Sequence, residues 1–181
     1  MTRRRRLATA AVARGLASAL ASGAAAAEKP PELVGAAEAS KRVGAADVRF
    51  LFWPLFRASL WSADGAFDWN APFALSLTYE RDFSEDTLAR KTVEEMARIS
   101  GRPEAGFQSF GEEFRACIDD VGPGDRITAV SIAADKARFF QNGEERCTLA
   151  RDGLRRDFFG IWLDPASEFP EATAKLVGAG P

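Results

Sequence analysis

From Phe73 to Tyr79 the chain alternates: Phe73, Leu75, Leu77 and Tyr79 are large, and Ala74, Ser76 and Thr78 between them are small or polar. A period of two sends successive side chains to opposite faces, so the stretch Pro72–Phe83 predicts a core strand with one face buried. Ser84, Glu85 and Asp86 follow directly and open a helix. Leu88, Thr92, Met96 and Ile99 form its apolar stripe, with Ala89 and Val93 beside them. The other face is charged. Lys91 with Glu95 and Glu94 with Arg98 are spaced for i, i+4 ion pairs of about 0.3 kcal/mol each, which a solvated helix face accounts for. Gly101-Arg102-Pro103 breaks this helix, and a second, from near Glu104, turns Phe107, Phe110, Phe114, Cys117 and Ile118 to one side.

Upstream, Val48–Trp61 is dense in aromatics and reads as one long strand or two, with Pro54 marking a bend, bulge or edge position. A first strand begins near Ala39, after a Pro-, Ala- and Glu-rich lead-in (Glu28–Ala37) expected to be partly mobile. Downstream, the turn Val121–Asp125 returns the chain to strands at Arg126–Ile132, Lys136–Gln141 and Glu144–Leu149. Asn142-Gly143 between the last two is the signature of a tight type I′ hairpin. Asp152 is placed to cap a helix through Trp162, and Ser167–Val177 forms a last small helix. Strands and helices fall in separate runs, which predicts an α+β fold: an antiparallel sheet with helices packed on one face.

Composition changes this picture in two ways. The chain of 181 residues has 14 Phe and 4 Trp but one Tyr and no His, so its rings fill space and few carry polar tips. Without histidine there is no imidazole base, no Ser-His or Cys-His triad and no His-ligated zinc or haem within the chain. No cofactor is implied. Residues 1–27 read as an export signal: Arg3–Arg6, a small apolar run, then Ala24–Ala27 as an A-x-A cleavage site before Glu28. Its removal takes five arginines and no acid, so 24 basic residues fall to 19 against 26 acids, a net charge of about −7. That charge argues against nucleic acid as a partner. No later run approaches the ~20 apolar residues of a membrane span. Residues 28–181 are then expected to be one soluble, monomeric, periplasmic domain, in which Cys117 and Cys147 are free to form a disulfide or to leave Cys117 as a small buried thiol.

Three segments in order resemble the chalcone isomerase-like proteins, in particular their exported bacterial branch: P-F-A-L-S-L-T-Y-E-R-D-F followed by K-T-V-E-E-M, then P-G-D-R-I-T-A-V with A-R-F-F-Q-N-G, then F-F-G-I-W-L-D-P. The resemblance covers most of Glu32–Val177. It implies an open-faced β-sandwich, a curved antiparallel sheet over a layer of helices with a ligand cleft between. The enzymes of the family cyclise chalcones with an arginine, a threonine, and a tyrosine and asparagine seven residues apart. Matched onto this chain, the threonine falls at Phe56, the tyrosine at Lys91 and the asparagine at Arg98, so the groups that would stabilise a developing oxyanion are replaced. Arg49, or failing that Arg42, takes the arginine position. Plant relatives that bind fatty acids hold the carboxylate with an arginine and a tyrosine; here the tyrosine position is again Phe56, and Tyr79 or Arg57 is the available substitute.

The resemblance and the seven Phe or Trp rings between Phe50 and Trp69 together point to a non-catalytic protein binding a fatty acid or other small apolar ligand. Arg49, Phe56, Arg57, Tyr79, Lys91 and Arg98 are the candidate ligand contacts. Two alternatives stand beside this reading: an isomerase or lyase with a relocated site, and an envelope protein that binds a partner through an apolar patch near Trp69 or Trp162.

Overall fold

The computed structural model describes residues 28–34, 39 and 41–179; the expected export segment, 1–27, lies outside them. Six strands form one sheet, each antiparallel to the next in sequence: β1 (Lys41–Phe50), β2 (Trp53–Ser62), β3 (Phe73–Tyr79), β4 (Arg126–Ala133), β5 (Lys136–Gln141) and β6 (Glu144–Ala150). Helices α1 (Glu85–Ser100) and α2 (Gln108–Cys117) are inserted between β3 and β4, while α3 (Leu154–Leu163) and α4 (Pro170–Leu176) follow β6. The fold is α+β, as expected.

The large residues of β3 meet the helices. Phe73, Leu75, Leu77 and Tyr79 join Ala89, Val93 and Met96 of α1, Phe110 and Phe114 of α2, and Phe158 and Phe159 of α3 in the main core. Phe158 is its hub, packing edge-on or tilted against Phe110, Phe114, Phe139, Phe159 and Trp162 at 5.1 to 5.9 Å between ring centroids. Close helix approach needs a missing side chain at Gly111, where a Cβ would lie 2.5 Å from Val93 Cγ2.

The alternation of β3 does not leave its second face to solvent. Ala74 and Ser76 are buried, Ala74 in a smaller cluster with Leu33, Ala39, Trp61, Val130 and Phe140. The lead-in expected to be mobile supplies part of this cover: Pro31–Leu33 makes a 3₁₀ turn with Leu33 fully buried. Glu32 anchors it. Its carboxylate accepts two hydrogen bonds from Arg126 (3.0 and 2.9 Å) and one from the Thr128 hydroxyl, which also shares a hydrogen bond with Ser76. Burial pushes the Glu32 carboxyl up, but the donors from Arg126 and Thr128 together outweigh it and hold it below its usual range.

Several local expectations change. Val48–Trp61 is the end of β1 and most of β2, and the chain reverses at Leu51-Phe52 with no Gly, Asn or Pro in the turn. Pro54 lies beside a register shift between Val48 and Arg49, where a missing N–H costs no regular ladder bond. Asp152 is not the cap of α3; left-handed Gly153 (φ 76°) takes that position without a side-chain hydrogen bond. The second helix begins as a 3₁₀ turn (Glu104–Gly106), and Ile118 follows α2 in extended conformation. Within α1 the ion pairs are Lys91 and Arg90 with Glu94, and Arg98 with Glu95, because each acid turns to the cation beside it on its own face. Cys117 and Cys147 are joined in a disulfide that ties the end of α2 to β6.

Candidate functional site

Between the helix-facing side of β2–β4 and helices α1–α3 lies a cavity of about 420 Å³. Phe56, Leu75, Leu77, Tyr79, Ile127 and Ala129 form its sheet wall. Leu88 and Thr92 of α1, Phe114 of α2, and Phe158, Ile161 and Trp162 of α3 form its helix wall. The exposed lining residues Phe50, Lys91 and Glu168 lie where it opens to solvent. A space of this size with mostly apolar walls is within the range of small-molecule sites.

The sheet wall follows from the period of two: Leu75, Leu77 and Tyr79 are the inward residues of β3, and Phe56 pairs with Tyr79 across β2–β3. On α1, Leu88, Lys91, Thr92 and Glu95 sit at i, i+3, i+4 and i+7 and so share one face.

Tyr79 is the one buried group on the sheet wall with a polar tip. Its ring lies edge-on between Phe56 (6.1 Å) and Phe83 (5.7 Å), and only 6% of the residue is exposed. The hydroxyl has no hydrogen-bond partner among the described residues, and burial alone pushes its pKa far up, so it stays protonated as a neutral donor. The charged lining groups are nearer the opening. Lys91 Nζ is 2.7 Å from Glu94, and Glu95 is held by two guanidinium nitrogens of Arg98 at 2.6 and 2.9 Å. Arg98 also donates to the Ala166 carbonyl (2.7 Å), tying α1 to the segment after α3. Its pairing with Glu95 raises the guanidinium pKa further.

Of the six candidate contacts, Phe56, Tyr79 and Lys91 line the cavity. Arg98 is outside the lining and acts on Glu95. Arg57, one residue along β2 from Phe56, points to the opposite face and pairs with Glu80 at 2.8 Å in an exposed ion pair. Arg49 is exposed on β1 and is not part of the cavity. Thr92, Glu95, Leu55 and Glu168 line the cavity without being among the expected contacts; Thr92 is expected only in the apolar stripe of the helix and Glu95 only as an ion-pair partner. The helical spacing from Leu88 carries a signal for Thr92 and Glu95, whereas Glu168 sits in a connection with no periodicity. Trp69 and Trp162 are both packed against the core; the exposed large apolar residues among those described are Val34 and, together in the β1–β2 hairpin, Phe50, Leu51, Phe52 and Trp53.

Among the described residues no group of three or more His, Cys, Asp or Glu is placed to hold a metal ion, and no helix is long and apolar enough to cross a membrane. No family model matches the chain, and no curated protein matches it in sequence. Among solved structures it is similar to the fatty-acid binding protein of Arabidopsis thaliana, with a TM-score of 0.60 over 77% of this chain and 88% of that one, at 7% identity. The likeness is one of fold. The architecture is the chalcone isomerase-like one that the three sequence segments imply.

Proposed function

We propose that this chain is an exported, periplasmic, non-catalytic member of the chalcone isomerase-like proteins, from their bacterial branch, and that it carries a fatty acid or another small lipid in the cavity between sheet and helices. The carrying observation is the 420 Å³ cavity itself, walled by Phe, Leu, Ile and Trp side chains and opening beside Phe50 and Lys91. Each methylene moved from water into such a space contributes about 0.8 kcal/mol, against about 1 kcal/mol for one neutral hydrogen bond, so the hydrocarbon chain dominates affinity. The structural neighbour, a fatty-acid binding protein, supports the same reading. The non-catalytic part rests on what occupies the family's reactive positions: Phe56 is an apolar wall, and Lys91 and Arg98 are engaged by Glu94 and Glu95. Export is supported by the arginine-led, alanine-rich first 27 residues and by the Cys117–Cys147 disulfide, which an oxidising compartment preserves.

Organic extraction of the purified protein followed by lipid mass spectrometry tests this. Lipid is expected from the wild type and not from Ala129→Trp, which fills the cavity from β4. Recovery of nothing from either, with no uptake of an apolar fluorescent probe, would sink the proposal.

A second reading, contact with another envelope component, is favoured by the exposed β1–β2 tip. Replacing Leu51 and Phe52 by Ser is expected to abolish co-sedimentation with the envelope fraction while lipid recovery persists; unchanged sedimentation removes this reading.

A further inference from the structure

The lining of the cavity has an uneven distribution of charge. Its single cation among the described residues is Lys91, which is exposed and 2.7 Å from Glu94. Two carboxylates, Glu95 and Glu168, also face it, and the guanidinium groups of Arg49 and Arg57 lie elsewhere. A fatty-acid anion drawn into this space would leave water without gaining a buried cation, and would meet like charge at the opening. Desolvation then opposes it, since a buried charge is tolerated only when paired and hydrogen-bonded. What the buried wall does offer is a neutral donor, the Tyr79 hydroxyl, left without a protein acceptor between the rings of Phe56 and Phe83. The hydroxyl oxygen is not fully buried, so the cavity reaches it, and an acceptor oxygen on a ligand can take up its hydrogen bond there.

We infer that the cavity is built for an uncharged lipid, one whose polar end is the accepting oxygen of an ester, ketone or amide, with Tyr79 as its hydrogen-bond donor. This rests on the ligand-binding reading above and narrows its ligand class: a free carboxylate is the poorer occupant. A bound fatty acid has its own pKa raised by the site, so its binding is strong only where the acid is protonated and is lost as pH rises.

The test is displacement of an uncharged naphthylamine probe from the delipidated protein by palmitate and by methyl palmitate, which share one chain and differ in charge. At about pH 8, where a free carboxyl is ionised, the ester is expected to bind at least about tenfold more tightly, and the gap to narrow as pH is lowered towards the carboxyl range. Tyr79→Phe should weaken the ester several-fold while probe affinity is kept, and Arg57→Gln, outside the cavity, should change neither ligand. Palmitate binding as well as the ester at that pH, an unchanged ester affinity in Tyr79→Phe, or loss of palmitate binding in Arg57→Gln would overturn the inference while leaving lipid binding intact. Failure of probe and both ligands to bind would overturn the ligand-binding reading and this inference with it.

Discussion

The β5–β6 hairpin reverses through Asn142 and Gly143, both with positive φ (53° and 93°), whereas β1–β2 reverses through Leu51 and Phe52, of which only Leu51 is left-handed (φ 54°). The first has the residues a type I′ turn asks for, and neighbours hold it in place. Asn142 accepts from the Arg126 backbone N–H (2.8 Å) and donates to Asp125 (2.9 Å), and Gly143 lies against Pro31. The second puts a branched residue where a II′-like turn would favour glycine, at a steric cost of about 1–2 kcal/mol. It exposes four large apolar residues in a row: Phe50, Leu51, Phe52 and Trp53 at 62, 77, 91 and 60%. Arg81, whose guanidinium is 5.1 Å from the Trp53 ring, gives that end of the sheet a cation. Turn chemistry chosen for stability is thus found where the hairpin is covered, and sacrificed where the hairpin carries Phe50 to the mouth of the cavity.

The contrast can be broken most forcefully at the disulfide, which secures only the β5–β6 side. Replacing Cys117 and Cys147 by Ala is expected to lower unfolding stability by about 3.5 kcal/mol for a loop closed over a separation of 30 residues, read as a lower denaturant midpoint. Next comes Glu32, whose segment lies over the Gly143 turn. Glu32→Gln should cost about 2 kcal/mol at neutral pH, the scale of hydrogen bonds to a charged acceptor. Because the folded pKa of Glu32 is depressed, its contribution is present above the unfolded value and is lost as pH falls through the folded one. Denaturation curves from neutral pH down to about pH 3 should show that loss in the wild type and a flatter acid limb in Glu32→Gln. An equally steep limb in the variant would assign it to other carboxylates.

The smallest effects compare the turns directly and should have opposite signs. Gly143→Ala forces a Cβ into φ 93° and should cost about 1 kcal/mol. Leu51→Gly relieves left-handed strain but adds backbone entropy to the unfolded chain, for a net gain of about 0.5 kcal/mol. Thermal unfolding of the two variants side by side decides this; a destabilised Leu51→Gly would mean that Leu51 packs more than its 77% exposure implies.

Much of the fold was legible because its signals are local. The strand β3, the cap and stripe of α1 and the Asn142-Gly143 turn each follow from side-chain geometry within a few residues and are found in place, but the single buried face read from the period of β3 is not, since Ala74 and Ser76 are covered as well. The reversal at Leu51-Phe52 was not legible, since nothing in those two residues favours a turn and the aromatics on both sides read as continuous strand. The site was half legible for a related reason. Phe56 and Tyr79 were candidates through the family resemblance and do line the cavity, because they sit on the inward face of paired strands, while Arg57, carried by the same resemblance, faces away as the neighbour of Phe56 on its strand.

By itself the sequence determined the α+β class, the absence of any imidazole chemistry and the residues available to fill a core, because composition and periodicity do not depend on what packs against what. The tertiary structure alone decided which groups share the cavity. It placed Arg49 and Arg57 outside, tied Lys91 and Arg98 to Glu94 and Glu95, buried the second face of β3 under Glu32 and Leu33, and left the Tyr79 hydroxyl without a partner. Those outcomes depend on contacts between segments far apart in the chain, where the identity of a residue says what it can donate or accept and only its neighbours say to whom.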